Sequence, residues 1–368
     1  MLRSHAPCPP SEVMNILSQL LLRERAEGCS TAIGLDRILR KFSREEFDSL
    51  VELASSNHVI VRGLEVFLPI IRKLGNGAHV EWAQEALRAE KARITNAICF
   101  LEEICSAFKE QRYDVTVIKS LDHWPDLGSD LDLYTNANPQ NVIALMRRQF
   151  NAEMAPRSWG DRLACKWNFL IPGLPEAVEI HMGRLGQTGE QIEFASRLPD
   201  RSRLVVVGER TFRVPSISDR LMISTLQRMY RHFYFRLCDI VDSAELVDAG
   251  DIDYFELRSS AQDAGIWEGV ATYLAIVSDY VQKHRGSGVN LPGFVRDSAR
   301  FGGATVYFGR GFLRVPIMPQ SASLYASQLT GLLRRRNLES TARLSLLPWL
   351  STAAVVGQKF TGSDKGIW

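Results

Sequence analysis

The chain has 368 residues, of which 45% are hydrophobic and 23% are charged. This balance is typical of a soluble globular protein and excludes extended disorder. At about 150 residues per domain, the length predicts roughly two to three domains. The 44 basic and 42 acidic residues leave a net charge of +2, so no overall field directs the chain to nucleic acid or to an acidic membrane.

The cysteines and the N-terminal residues indicate a cytoplasmic protein. The six cysteines contain no CxxC pair, which argues against a zinc ribbon, a thioredoxin-type site and a disulfide framework. The N-terminus lacks the apolar core of a signal peptide, and no uninterrupted apolar run approaches about 18 residues. We therefore expect neither secretion nor a membrane span.

Residues 1–110 have helical periodicity and are predicted to form a helical N-terminal domain. The spacing of Ser43 and Glu46 matches a capping box and predicts the start of a helix. Gly75-Asn76-Gly77 predicts a break before a long helix that carries one apolar stripe. The stripe comprises Leu87, Ile94, Ile98, Leu101, Cys105 and Phe108.

Residues 111–215 have the alternation and β-branched composition of strands, which predicts a small mixed sheet. The turn Pro172-Gly173-Leu174-Pro175 predicts that the strands on either side are antiparallel neighbours, and Gly208-Glu209-Arg210 predicts a second hairpin. The predicted strands are Asp114–Ile118, Asp130–Tyr134, Arg162–Ile171, Ala177–Met182, Arg203–Val207 and Thr211–Val214.

Residues 216–285 return to helical periodicity, with Ser216 or Ser218 as the cap. Residues 286–368 form a C-terminal region in which only a short helix, residues 321–335, is predicted. The fold class is therefore α+β, a small mixed β-sheet flanked by helical N- and C-terminal regions. One apolar face is predicted for the helical region after the sheet, formed by Leu226, Met229, Tyr230, Phe233, Leu237, Ile240 and Val241.

That helical region also carries basic and aromatic residues, which is a mixture found in nucleic-acid-binding surfaces. Tyr230 and Phe233 follow the apolar stripe, however, so we favour core packing with a charged outer face. The charged residues concerned are Arg228, Arg231, His232, Arg236 and Asp239.

The segment Gly128–Leu133 contains two aspartates at alternate positions of a predicted strand. Residues i and i+2 of a strand point to the same face, so Asp130 and Asp132 are expected to lie side by side. Two adjacent carboxylates repel each other unless a cation lies between them, and Mg²⁺ is a common solution. A DxD pattern is also frequent on surface strands, where it binds nothing.

A third acid, Glu179, stands between Val178 and Ile180 in another predicted strand. If that strand lies beside Asp130–Tyr134, Glu179 completes a site of three carboxylates. Three acids that hold two hard cations support phosphoryl or nucleotidyl transfer, because the metals stabilise the attacking and leaving oxygens.

The motifs Ile118-Lys119-Ser120, Asp130-Leu131-Asp132-Leu133 and Val178-Glu179-Ile180-His181 occur in this order along the chain. Their spacing resembles that of the polymerase-β-type nucleotidyltransferase superfamily. The chain looks most similar to the poorly characterised bacterial nucleotidyltransferase-like proteins with a helical N-terminal region. Lys119 stands at a position where the superfamily pattern has glycine. Ser120 stands at a position where the narrower bacterial group has glycine.

The resemblance implies that residues 111–215 are a nucleotidyltransferase-like α/β core. The implied reaction moves a nucleoside monophosphate from an NTP such as ATP to a hydroxyl of an acceptor and releases pyrophosphate, with Mg²⁺ or Mn²⁺ as cofactor. Asp130 and Asp132 would hold the metal, and Glu179 would be either a third ligand or the general base.

Five further residues are candidates for contact with the nucleotide. Ser120 and Ser129 either donate to phosphate oxygens or form ordinary turns, and Lys119 either neutralises a phosphate or is solvated. His181 shares the face of Glu179, as a metal neighbour, a substrate contact or a structural histidine. Arg184 either meets a triphosphate or is exposed.

Two other functions remain open from the sequence. The Lys119-Ser120 turn favours a catalytically silent binding or scaffold protein that keeps the sheet but not the chemistry. The second open function is that of a toxin-like transferase acting on tRNA. The near-neutral net charge argues mildly against a nucleic-acid partner. The sequence leaves open whether the acceptor is a small molecule, a sugar or a protein. It also leaves the oligomeric state open.

Overall fold

A computed structural model describes residues 9–22, 32–40, 42–350 and 352–353, with no side-chain description for residues 32–34. Two of the six cysteines, Cys8 and Cys29, lie outside the described residues, as does the N-terminus on which the secretion argument rests. The helices before the sheet are α1 (Pro10–Leu22), α2 (Ala32–Leu39), α3 (Arg44–Ser56), α4 (Ile60–Lys73) and α5 (Gly77–Glu110).

The helix signals read from the N-terminal sequence are confirmed. The Ser43 hydroxyl accepts from the backbone N–H of Glu46, and the Glu46 carboxylate accepts from the backbone N–H of Ser43, which completes the capping box of α3. The side chain of Asn76 caps α5 at the predicted break.

The middle of the chain forms a mixed sheet of five strands in the order β1-β2-β5-β4-β3. The β2 and β5 strands are parallel, and the three other pairings are antiparallel. These strands are β1 (Thr116–Val117), β2 (Asp130–Thr135), β3 (Glu153–Met154), β4 (Lys166–Leu170) and β5 (Ala177–Met182). Three short helices accompany this part of the chain, namely α6 (Pro139–Phe150), α7 (Trp159–Leu163) and α8 (Ile192–Ser196).

Both predicted hairpins are confirmed. The β4 and β5 strands pair antiparallel around the Pro172–Pro175 turn, and β6 (Arg203–Val207) pairs with β7 (Arg210–Val214) as a separate two-stranded sheet. The predicted start of β4 at Arg162 is wrong by four residues. A capping box between Ser158 and Asp161 stabilises α7 there, and the strand begins only at Lys166.

The single apolar helix face predicted after the sheet is wrong. The α9 helix (Ile217–Thr225) continues into a π-helical turn over Leu226–His232 and ends at Phe233, whose φ is 55°. The next two residues form β8 (Tyr234–Phe235), and α10 (Leu237–Asp248) follows as a new helix. Local helical periodicity is overridden here because β8 pairs with a distant strand near the C-terminus.

The remaining elements complete a helical region with one small three-stranded sheet, ordered β8-β10-β9. The predicted short helix near residue 321 is confirmed as α14. These elements are α11 (Tyr254–Asp263), α12 (Trp267–Arg285), α13 (Gly293–Ser298), β9 (Tyr307–Gly309), β10 (Phe312–Arg314), α14 (Ala322–Arg334) and α15 (Leu338–Leu344).

One continuous cluster of buried apolar side chains joins the helices to the sheet. It includes Leu17 of α1, Phe67 of α4, Leu133 of β2 and Val277 of α12. The α+β class is therefore confirmed, and the four sequence segments differ in secondary structure but share this core. Among the described helices, none has both the length and the apolar character required to span a bilayer.

The burial of β2 yields a stability prediction. Leu131 lies between the two aspartates of β2 and is fully buried, whereas Leu204 of β6 is 68% exposed. We expect Leu131→Ala to lower the free energy of unfolding by about 2–5 kcal/mol, because it leaves a cavity in the core. The matched Leu204→Ala should change it by less than about 0.5 kcal/mol. Urea unfolding followed by circular dichroism measures both, and equal effects would contradict the burial of β2.

Candidate active site

Strand β2 presents its two aspartates to a cavity of about 160 Å³, called here the carboxylate cavity. Asp130 and Asp132 both line it, while Leu131 and Leu133 are fully buried on the other face of the strand. The alternation of β2 therefore brings the two carboxylates to one face, as the DxD spacing predicts.

Glu179 lies beside Asp132 on the neighbouring strand. The β2 and β5 strands are in parallel register, with Asp132 opposite Glu179 and Leu133 opposite Ile180. Glu179 also lines the carboxylate cavity and is largely buried. The structure thus brings together the three acids that the sequence singled out.

Three nitrogen donors compensate the buried carboxylates. Lys166 of β4 donates to Glu179 Oε2 at 2.9 Å and also pairs with Asp161 at 2.9 Å. The Nε2 atom of His181 lies 2.8 Å from Glu179 Oε1. Lys119 forms an ion pair with Asp132, and its Nζ lies 3.5 Å from Glu179 Oε1. Both oxygens of Glu179 are therefore engaged by other side chains.

The pKa values of the two adjacent acids shift in opposite directions because their neighbours differ. Burial raises the pKa of Asp132 to about 7, although Lys119 opposes the rise. Burial also acts on Glu179, but Lys119, His181 and Lys166 hold the pKa of Glu179 well below its ordinary value. Glu179 is consequently a poor proton acceptor, which favours a positioning role over the general-base role that the sequence left open.

His181 is neutral in this arrangement. Burial lowers the pKa of His181 to about 4, although Glu179 raises it. A neutral ring that donates from Nε2 has its lone pair on Nδ1, and His181 Nδ1 is buried with no hydrogen-bond partner among the described residues. The sequence prediction that His181 shares the face of Glu179 is confirmed by their hydrogen bond.

Lys119 occupies a strained turn at the end of β1. Its φ of 65° and ψ of −51°, with a 2.7 Å hydrogen bond from the Ser120 N–H to the Ile118 carbonyl, define a γ-turn of the rare positive-φ type. A side chain costs energy in this conformation, and glycine is the residue that adopts it freely. In this strained turn the Lys119 ammonium forms an ion pair with the carboxylate of Asp132.

The two serines make local contacts. The Ser120 hydroxyl accepts from the Asp132 N–H at 2.7 Å and lies 3.4 Å from the Asp130 carbonyl oxygen, so it holds the start of β2. Ser129 lies at the cavity with its hydroxyl 3.4 Å from Asp130 Oδ2. These contacts favour the turn-forming interpretation of Ser120, whereas Ser129 stays available to a ligand.

Arg184 is not brought to the three acids. Its guanidinium donates to Glu339 of α15 at 3.1 Å, and it does not line the carboxylate cavity. The sequence placed Arg184 near the site because it follows β5 closely, but Gly183 turns the chain with a φ of 71° directly after that strand.

The segment between α9 and α10 supplies basic residues to the carboxylate cavity. Arg228, Arg231 and Arg236 line it together with His232 and Tyr234. Arg228 is buried and paired with Asp239 at 2.7 Å, whereas Arg231 and Arg236 form no ion pair within the described part of the chain. The predicted charged outer face is therefore wrong, since these side chains face a cavity.

Lys166 and these arginines are site residues that the sequence analysis missed. A lysine within a strand of mostly apolar residues was the available signal for Lys166, and the confirmed hairpin places it opposite His181. The arginines did give a signal, the mixture of basic and aromatic residues after the sheet, but the continuous helix predicted there would have placed them on an outer face instead of at a cavity.

A larger cavity of about 400 Å³ adjoins the carboxylate cavity, although none of the three acids lines it. It shares Arg231 and His232 with the carboxylate cavity, and both Asp161 and Lys166 line it. A ligand of small-molecule size fits such a volume. Polar and apolar lining residues alternate in this cavity, with Ser158, Gln187, Phe233 and Leu347 among them.

The sequence matches no known protein-family model, and no curated protein is similar to it at a significant level. The functional interpretation therefore depends on the chemistry of these two cavities.

The buried lysine yields a prediction about charge compensation. We expect Lys166→Met to lower the free energy of unfolding by about 3–5 kcal/mol, because Glu179 and Asp161 lose their common cation in a buried site. The matched Lys91→Met removes an exposed lysine that pairs with Glu65 at 2.7 Å. The Lys91→Met substitution should lower the free energy of unfolding by less than about 1 kcal/mol. Urea unfolding at neutral pH measures both, and a small effect of Lys166→Met would contradict its role as the counter-ion.

Proposed function

We propose that the protein is a metal-dependent nucleotidyltransferase. In the proposed reaction an acceptor hydroxyl oxygen bonds to the α-phosphorus of an NTP, the bond to the pyrophosphate oxygen breaks, and the hydroxyl proton is released. The observation that supports this best is the parallel register of Asp132 with Glu179, which unites three acids at one cavity with Arg231 and Arg236.

The donor chemistry of the site fits a hard divalent cation. Asp130 and Asp132 offer carboxylate oxygens at one cavity, and Asp132 already pairs with a cation, the Lys119 ammonium. Glu179 fits less well as a direct ligand, because His181 and Lys166 engage both of its oxygens. Mg²⁺ held by Asp130 and Asp132 would neutralise charge on the phosphate oxygens during transfer.

The arginines have a complementary role in this proposal. Arg231 and Arg236 line the carboxylate cavity without an ion pair in the described residues, so their charges are available to the phosphates of an NTP. The adjoining 400 Å³ cavity, which Lys166 and Arg231 line, would take the acceptor beside the carboxylate cavity.

Asp132 is the residue to test first. We expect Asp132→Asn to abolish Mg²⁺-dependent labelling when the protein is incubated with α-labelled NTPs and a cell extract, because the metal loses a carboxylate ligand. The matched control is Asp297→Asn, which changes an exposed aspartate of α13. It should label the acceptor at the wild-type rate. Labelling that persists in folded Asp132→Asn would refute the metal assignment.

Arg231 provides a second test that separates nucleotide binding from metal binding. We expect Arg231→Met to weaken NTP binding at least tenfold in calorimetric titration, since a charge-assisted contact to phosphate contributes about 1.5–3 kcal/mol. The control Arg334→Met removes an exposed arginine at the end of α14. Its NTP affinity should equal that of the wild type. Unchanged NTP affinity in Arg231→Met would show that the arginine does not contact the nucleotide.

A binding protein without turnover is the second candidate. The ion pair of Lys119 with Asp132 favours it, because the ammonium occupies the carboxylate that a metal would need. Calorimetric titration with Mg²⁺ and each NTP distinguishes the two. A transferase requires metal-dependent nucleotide binding, whereas a scaffold that has lost the chemistry shows none.

A further inference from the structure

A second group of metal-ligating side chains lies at the carboxylate cavity and takes no part in the proposed transfer. His58, His123 and Cys238 each offer one ligand atom, and these atoms lie within 4.8 Å of one another. They come from the end of α3, from the 3₁₀ turn after Lys119 and from the start of α10. We propose that these residues bind Zn²⁺ or a similar transition metal ion.

The spacing and chemistry of the three ligands suit such an ion. The Nε2 atom of His123 lies 3.7 Å from the Cys238 sulfur, a separation that allows both to bind one tetrahedral metal at the usual Zn–N and Zn–S distances of about 2.0–2.3 Å. Imidazole and thiolate ligands select zinc and related metals, while carboxylates select magnesium. The group is therefore chemically distinct from Asp130 and Asp132.

The surroundings of His123 match those of a zinc-bound histidine. Its other ring nitrogen, Nδ1, is hydrogen-bonded to the carboxylate of Asp242, one turn after Cys238 on α10. A carboxylate in this place fixes the ring orientation and leaves Nε2 for the metal. Arg62 donates to the other Asp242 oxygen at 2.6 Å and so fixes that carboxylate in turn.

His58 has a buried ring nitrogen without a partner in the described part of the chain. Its Nδ1 is buried without a hydrogen-bond partner among the described residues, and only 8% of the residue is exposed. A buried imidazole nitrogen without a hydrogen-bond partner can bind a metal ion through its lone pair.

Asn57 holds the His58 segment against the start of α10. The Asn57 side-chain oxygen accepts from the Leu237 N–H at 3.0 Å, and its carbonyl oxygen accepts from the Cys238 N–H at 3.2 Å. Its side-chain amide also donates to the carbonyls of Leu53 and Gly311. Cys238 and His58 are thus positioned by the same residue before any ion binds.

The local charges accommodate a divalent cation. Asp126 and Asp242 both pair with Arg62, and Arg228 is paired with Asp239. A divalent ion and Arg62 would together balance the charges of Asp126, Asp242 and a Cys238 thiolate, while Arg236 adds one further positive charge at the cavity. His58 and His123 line the carboxylate cavity, so the fourth coordination position would face that cavity.

Cys238 and His123 next to Asp242 also resemble the arrangement of a nucleophilic cysteine. A nucleophile must be reached by its substrate, however, and Cys238 is fully buried and does not line the cavity. A metal ion is smaller than an organic substrate and would reach the sulfur from between the two histidines, which line the cavity. The geometry therefore favours coordination over covalent catalysis.

Cobalt titration of the full chain tests the proposal independently of any transferase activity. After removal of metals with a chelator, one equivalent of Co²⁺ should give intense visible d–d bands and a near-ultraviolet thiolate-to-cobalt band, and Zn²⁺ should displace both. Cys238→Ser should lose the thiolate band, whereas Cys105→Ser, which changes a half-buried cysteine of α5, should keep it. Binding at Asp130 and Asp132 gives no thiolate band, so the two sites remain distinguishable.

Asp242→Asn provides a second readout should Cys238→Ser not fold. It should keep the thiolate band but bind Co²⁺ about 10–100-fold more weakly, because His123 loses the carboxylate that orients it. Absence of the thiolate band in the wild type would overturn the proposal, as would its persistence in folded Cys238→Ser.

Discussion

The side-by-side position of two buried carboxylates on parallel strands determines the arrangement of the rest of the site. Asp132 and Glu179 are register partners in β2 and β5, and like charges so close need cations once they leave water. Lys119, in a strained turn, is the ion-pair partner of Asp132, while Lys166 and His181 hydrogen-bond to Glu179. The pKa values of the two acids shift in opposite directions as a result, upward for Asp132 and downward for Glu179.

The helical region after the sheet completes the cavity because its helix is interrupted. The π-helical turn, the left-handed Phe233 and the two-residue strand β8 redirect a segment that would otherwise continue as one helix. Pairing of β8 with β10 stabilises this path and fixes Arg231 and Arg236 at the cavity. Basic residues that a regular helix would have exposed to solvent thus meet the acids of the sheet.

Two kinds of metal chemistry meet at one cavity if both proposals hold. The loop from Lys119 to Asp130 connects them, since it carries Lys119 and His123 and ends at the first aspartate of β2. Oxygen ligands on the sheet suit a hard ion that exchanges with substrate, while histidine and cysteine ligands suit a tightly held ion. A tightly held ion would join the turn after α3, this loop and the start of α10.

Much of the fold and part of the site follow from local sequence patterns. The capping box at Ser43, the break before α5, both hairpins and the shared face of Asp130 and Asp132 depend on residues within a few positions of one another, which a period or a turn signal can show. The break at Phe233, the role of Lys166 and the cluster of His58, His123 and Cys238 depend on contacts between residues far apart in the chain. The sequence by itself determined strands β2 and β5 and the acids they carry. Only the tertiary structure decided which cations and ligands face them, because packing of the whole chain sets contacts that no local periodicity encodes.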